Sequence, residues 1–129
     1  MMRLIVLWLI RLFAALLSLP HTAQIGVATR FSAYGDSGNP TPYAACVRRD
    51  MDDARDRFVA HRTLPCMARV LICRLKLPLR CTRAQVGDRG PARADIDLNV
   101  LVARDLGYGQ RGGFSGREHV LFAVERSVR

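Results

Sequence analysis

Carboxylates and cysteines are the side chains of this sequence whose types and spacing could do chemistry. Asp88 sits in Gly87-Asp-Arg-Gly-Pro91, Asp95 and Asp97 alternate, and Asp50, Asp52 and Asp53 crowd a charged run from Arg48 to Arg57. A carboxyl group at a turn can trade protons with a substrate, or it can accept backbone N–H bonds and shape the turn. Read alone, Asp88 is the turn former and the charged run is a solvated face. His61, two residues after apolar Val59, reads first as a buried hydrogen-bonding residue.

No metal and no cofactor is expected. Cys46, Cys66, Cys73 and Cys81 include no Cys-x-x-Cys pair, and His21, His61 and His119 are scattered, so zinc spacing is absent. An even cysteine count in a small exported domain implies disulfides, and four cysteines allow three pairings. Cys73 and Cys81 flank an expected hairpin, Arg74 to Arg80, with Pro78 near its bend. A bridge across that hairpin is geometrically easy and leaves Cys46 with Cys66. Each bridge contributes about 2–4 kcal/mol.

Export is expected from the N-terminus. Met1 to Leu19 is apolar apart from Arg3 and Arg11 and runs into Pro20, His21, Thr22 and Ala23, the pattern of a secretory signal. Residues 1–23 are therefore read as the signal and 24–129 as one domain. An uncleaved anchor is the rival, but a spanning helix needs about 20 apolar residues, and Arg11 leaves only Leu12 to Leu19 uninterrupted. Membrane contact would come only through this segment if uncleaved, and the destination is periplasmic or extracellular.

The formal net charge is +9 at pH 7, and the part beyond Arg11 is still basic. Such a surface draws polyanions, which outside the cytoplasm means acidic wall polymers and anionic lipid. Nucleic acid is not expected as a partner: no aromatic residues interleave with the arginines, as a single-strand binder requires.

Several short elements must position these groups. Ile25 to Tyr34 alternates as a strand, and Gly35 to Pro42 is a loop. Phe58 to Pro65 is a strand fragment, Ala68 to Leu75 the strongest strand, and Arg80 to Val86 its partner, with Gly87 to Pro91 breaking the sheet. Asp95 to Leu98 is a brief strand. Asn99 caps a short helix, Val100 to Leu106, ended by Gly107 and Gly109. Gln110 to Gly116 is a loop, and Glu118 to Val124 closes the sheet. Short strands, one short helix and no repeats predict a small, mainly β barrel with Gly/Pro corners.

Four pieces in order, Gly26-Val-Ala-Thr-Arg-Phe31, Ala60-His-Arg-Thr-Leu-Pro65, Asp88-Arg-Gly-Pro91 and Ile96-Asp-Leu98 with its following helix, carry a resemblance. Over roughly residues 25 to 125 the chain resembles the rare lipoprotein A family. The resemblance implies a six-stranded double-psi β-barrel with one or two short helices, acting as a monomer on peptidoglycan or a related cell-wall glycan. It leans towards an enzyme, a lytic transglycosylase. The wider fold includes expansins, barwin-like proteins and some cellulases, so a non-catalytic glycan-binding barrel is the alternative. A third reading is a secreted structural or inhibitor-like domain in which the cysteines matter most. The lipid-bearing cysteine of rare lipoprotein A is absent near the expected cut, and a bare barrel is expected.

The resemblance also implies a site. Asp88 takes the place of the family's acid/base residue and His61 that of its motif histidine. Enzymatic relatives carry a Glu after a Thr-Ala-x-Gly turn; here the turn is missing and Asp50 is the best-placed substitute. In a lytic reaction one carboxyl group protonates the departing oxygen and then takes a proton from the attacking muramyl hydroxyl. Asp88 would need a pKa well above about 3.9 for this, and Arg89 next door opposes that unless it points away. Arg89 and Tyr34 are read as substrate-binding residues; Tyr34, Tyr43 and Tyr108 could each offer a ring for a sugar to stack on, although buried packing is the more frequent use of such a side chain. Asp97 is read as structural, and Asp95 has no assigned role.

Overall fold

The computed structural model describes residues 2–17, 23–31, 43–108 and 117–125. Tyr34, the loops at 35–42 and 110–116 and most of the expected cleavage region lie outside the described residues.

Six strands close into a barrel, as expected. They are β1 (Gln24–Phe31), β4 (Phe58–Ala60), β5 (Arg69–Arg74), β6 (Cys81–Asp88), β7 (Ile96–Asn99) and β8 (Glu118–Val124), in the order β1-β7-β4-β6-β5-β8. Two pairings, β1 with β7 and β4 with β6, are parallel, and the others are antiparallel. Alternation sends Ala28, Val59, Val70, Ile72, Val86, Ile96, Leu98, Val120 and Phe122 into the core, where β-branched residues fit the pleat. The helix α2 (Val100–Asp105) adds Val102 to that core and is followed by Leu106, which joins it.

The cap of α2 is the expected one. Asn99 is extended, wholly buried, and accepts the Val102 N–H at 3.2 Å, while its amide donates to the Asp56 carbonyl. Gly107, at φ 87°, ends the helix.

Two features differ from expectation. The charged run begins inside a small hairpin, β2 (Tyr43–Ala44) with β3 (Arg49–Asp50), whose inner residues Ala44 and Val47 pack with Met51, Phe58 and Phe31 in a second apolar cluster. Its charged side chains pair locally: Arg49 forks onto Asp56 at 2.8 Å to both oxygens. The second difference is that β6 does not stop at Val86 but runs on through Gly87 to Asp88, with a register shift against β4 between Val59 and Ala60.

Ahead of the barrel, α1 (Met2–Leu17) exposes the side chains of residues 2–11. Among the described residues no helix is long and apolar enough to cross a membrane.

Both disulfides form in the expected pairing, Cys46 with Cys66 (Cα–Cα 5.1 Å) and Cys73 with Cys81 (4.0 Å). The first ties the β2–β3 hairpin to the segment after β4, and the Cys46 N–H donates to the Gly87 carbonyl at 3.0 Å. Replacing Cys46 and Cys66 together by alanine should cost about 3 kcal/mol, from the loop-closure entropy of their 20-residue separation. Urea unfolding of the oxidised protein and of the double variant measures it.

Candidate functional site

Four residues on adjacent strands form a row. Thr29 on β1 pairs with Asp97 on β7, Asp97 pairs with Ala60 on β4, and Ala60 pairs with Asp88 on β6. Ala28, Ile96, Leu98 and Val59 point inward, so alternation turns Thr29, Asp97 and Ala60 to the outside of the wall. Two strand spacings of about 4.8 Å separate the backbones of the two aspartates. Ala60 lies between them and is covered, at 3% exposure.

Asp88 reaches this face because of the bulge. It has the parity of Ala84 and Val86, which are buried core residues, and an unbroken strand would aim it at the core. The extra residue at Gly87 and Asp88 re-aims it. Its Oδ1 accepts the backbone N–H groups of Ala45 at 3.1 Å and Arg89 at 2.8 Å, so it holds the hairpin and the following turn. Gly90, at φ 114°, supplies the left-handed residue of that turn.

Asp97 is half-buried and accepts the Thr29 hydroxyl at 2.9 Å. Burial pushes its carboxyl up to about 6; the Thr29 hydroxyl and the Leu98 N–H pull it back, and the charge of Asp88 adds to the rise. Asp97 is thus the carboxyl that carries a proton at mildly acidic pH.

Asp56 and Asp105 go the other way. The bond from Arg49 holds Asp56 low, and the bond from Arg57, at 2.6 Å, does the same for Asp105, aided by Thr82. A depressed carboxyl contributes stability above the unfolded carboxylate range and loses it as pH falls through its folded pKa. The raised Asp97 contributes fully below about pH 4 and loses that contribution as pH rises through about 6. Thermal melts of the native chain and Asp97→Asn from pH 3 to 8 should therefore show a native Tm that falls relative to the variant as pH rises from about 4 through about 6. The opposing gain from His61, whose pKa is lowered, is common to both.

The other sequence-picked residues are placed as follows. His61 follows β4; its Nδ1 accepts the Thr63 and Leu64 N–H groups at 3.1 and 3.0 Å, and its ring meets Phe122 edge-on at 5.9 Å. Burial, then the charges of Arg62 and Arg89, lower its pKa, which matches an Nδ1 that must stay unprotonated to accept. Its own backbone N–H donates to the Asp88 carbonyl at 3.2 Å, so it lies beside the row. The Arg89 guanidinium turns back into the 61–66 segment, donating to the His61 and Leu64 carbonyls and to Cys66 Sγ. Asp50 is exposed on β3 opposite Tyr43, whereas Asp88 meets the hairpin at Ala45. Tyr43 is 55% exposed and Tyr108 is buried. Among the described residues no group of His, Cys, Asp and Glu could hold a metal.

Thr29 was not singled out by the sequence, and Asp97 was read as structural. Both lie in segments that carried the resemblance. Their meeting depends on the parallel pairing of β1 with β7, which no local pattern reveals.

The closed six-stranded barrel with its two parallel pairings is the double-psi β-barrel architecture expected from the sequence. No protein-family profile and no curated protein matches the sequence. Among solved structures, the apo expansin of Clavibacter michiganensis is similar over 83% of this chain and 52% of its own, at 19% identity and a TM-score of 0.57. A single-site mutant of that expansin in complex with cellohexaose matches at 20% identity and 0.55. The Streptomyces papain inhibitor matches at 21% identity and 0.55, over 84% of this chain and 100% of its own. The chain spans about half the length of the expansins, 52%. These likenesses show the fold.

Proposed function

We propose that this is a barrel that binds cell-wall glycan without cleaving it, in the manner of an expansin, and works outside the cytoplasm after export by residues 1–23. The observation that carries the reading is the row Thr29–Asp97–Ala60–Asp88 on the outer wall. Two carboxyl groups and a hydroxyl can take the hydroxyls of a sugar chain laid across the strands, and exposed Tyr43 at the edge of the hairpin offers a ring for stacking. The likeness to an expansin solved with cellohexaose supports it, and two disulfides fit an oxidising compartment.

Retention of the full chain on peptidoglycan sacculi and on cellulose tests the reading, with the soluble fraction examined by mass spectrometry. We expect retention without new soluble sugars, and a drop of tenfold or more in Asp97→Ala. No retention on either glycan would remove the proposal.

One observation favours a second reading, lytic cleavage of peptidoglycan: Asp97, with a pKa of about 6, can hold a proton where a departing glycosidic oxygen needs one. The carboxyl proton would pass to that oxygen while the muramyl 6-hydroxyl closes on the anomeric carbon and returns its proton to the carboxylate. Asp88, the residue the resemblance selects, would assist from across Ala60. Anhydro-ended sugars formed by the native chain but not by Asp97→Asn or Asp88→Ala would establish this reading in place of the first.

A further inference from the structure

The outer face continues past the row into a basic cleft. Val27 precedes Thr29 by two residues on β1 and so lies on the same side as the row, about 7 Å along the strand at 3.3 Å per residue; Asp95, in the bend before β7, donates its backbone N–H to the Val27 carbonyl at 2.9 Å. Here a cleft of about 290 Å³ is lined by Val27, Ala92, Asp95 and three arginines, Arg62, Arg93 and Arg117.

Two of those arginines are held by backbone carbonyls. Arg62 Nη1 donates to the Pro91 and Ala94 carbonyls, both at 2.6 Å, and Arg117 Nη2 donates to the Arg93 carbonyl at 3.1 Å. Each keeps further N–H donors for a ligand, already oriented, which cuts the entropic cost of binding. The one carboxylate in the cleft lining is Asp95, whose Oδ2 accepts the Val27 N–H at 2.7 Å. Three guanidinium groups therefore face one carboxylate, and the surplus is positive.

We propose that Arg62, Arg93 and Arg117 form an anion subsite that takes a carboxylate carried by the bound glycan, so that the chain selects acidic over neutral glycans. This rests on the glycan-binding reading and specifies its substrate class. A planar carboxylate matches the guanidinium fork, and the position beside Thr29 and Asp97 places it on the sugar held by the row or on its neighbour. Asp88 and Asp97 lie outside the cleft lining, which keeps the negative end of the row apart from the subsite.

The test uses the full chain and peptide-free peptidoglycan strands, whose lactyl carboxylates are free, against the same strands after carbodiimide amidation, with cellulose as the neutral glycan. The probe variant is Arg93→Gln with Arg117→Gln, sparing Arg62 because its bonds shape the 91–94 turn. A control of equal charge loss, Arg55→Gln with Arg69→Gln, lies away from the cleft, in the charged run and at the end of β5 that pairs with the far end of β8 from Arg117. Dissociation constants at two salt concentrations are the readout. The native chain should prefer free-carboxylate strands at least tenfold over amidated ones. The probe variant should lose that preference while binding amidated strands as before, and the control should keep it. Equal binding of both strand types by the native chain, or equal losses in probe and control, overturns the subsite and leaves glycan binding intact. Binding to none of the three glycans overturns the glycan reading itself, and the subsite with it.

Discussion

Gly87→Ala should destabilise the barrel by about 3 kcal/mol or more, the upper part of the range for overpacking a filled site. A Cβ at Gly87 would press on Cγ of Phe58 and lie 2.7 Å from its Cδ2. Phe58 is 3% exposed and wedged in the cluster of Ala44 and Met51 under the hairpin, so the ring cannot swing aside without opening that cluster. A domain of this size has about 5–15 kcal/mol in total, and the fall in Tm should be on the order of 10 °C. Gly90→Ala is the internal comparison. Nothing lies within 4 Å of its added methyl, but its φ is 114°, so backbone strain alone should cost about 1–2 kcal/mol. Shrinking the ring in Gly87→Ala with Phe58→Val should recover part of the Gly87→Ala loss, measured as a coupling energy in a double-mutant cycle. Equal costs for the two glycine variants would show that the contact with Phe58 does not limit position 87.

Asp97→Asn should do two opposite things. At pH 7.5 it should raise stability. A carboxyl pushed up to about 6 sits roughly two units above its unfolded value, an upper bound of about 3 kcal/mol at 1.36 kcal/mol per unit. Partial exposure reduces this to about 1–2 kcal/mol. The asparagine keeps an oxygen to accept the Thr29 hydroxyl but has no charge to desolvate. The gain should vanish near pH 4, where Asp97 is protonated in folded and unfolded chains alike. Glycan retention should meanwhile fall tenfold or more, or, if the barrel cleaves, product formation should cease. Urea unfolding at pH 4 and 7.5 beside a retention assay reads both effects. A variant less stable at pH 7.5 would show that the ionised carboxylate is a net stabiliser, and the electrostatic account of the site would fall.

The opposed effects mark where stability and activity part. Arg49–Asp56 and Arg57–Asp105 are ion pairs that stabilise the fold by satisfying their charges. Asp97 has a hydroxyl and a backbone N–H but, among the described residues, no ion pair, and another carboxylate lies across Ala60. A group held in that way costs stability, a common condition of residues kept for binding or proton transfer.

Much of the fold was legible in the sequence because it depends on near neighbours. Alternation placed β1, strand-forming residues placed β5 and β8, Asn99 and Gly107 bounded α2, and a proline-bent hairpin between Cys73 and Cys81 indicated one disulfide and thereby the other. Asp88 and His61 were picked out by their motif segments; Asp88 belongs to the row and His61 borders it. What the tertiary structure decided is the face each carboxylate occupies and the partner it meets. Asp88 has core parity until the bulge at Gly87, where Phe58 leaves no room for a side chain, turns it outward. Thr29 and Asp97 are 68 residues apart and meet only because β1 and β7 run side by side. Periodicity along a chain records which residues can share a face; the register between distant strands, set by closing the barrel around its core, determines which of them touch.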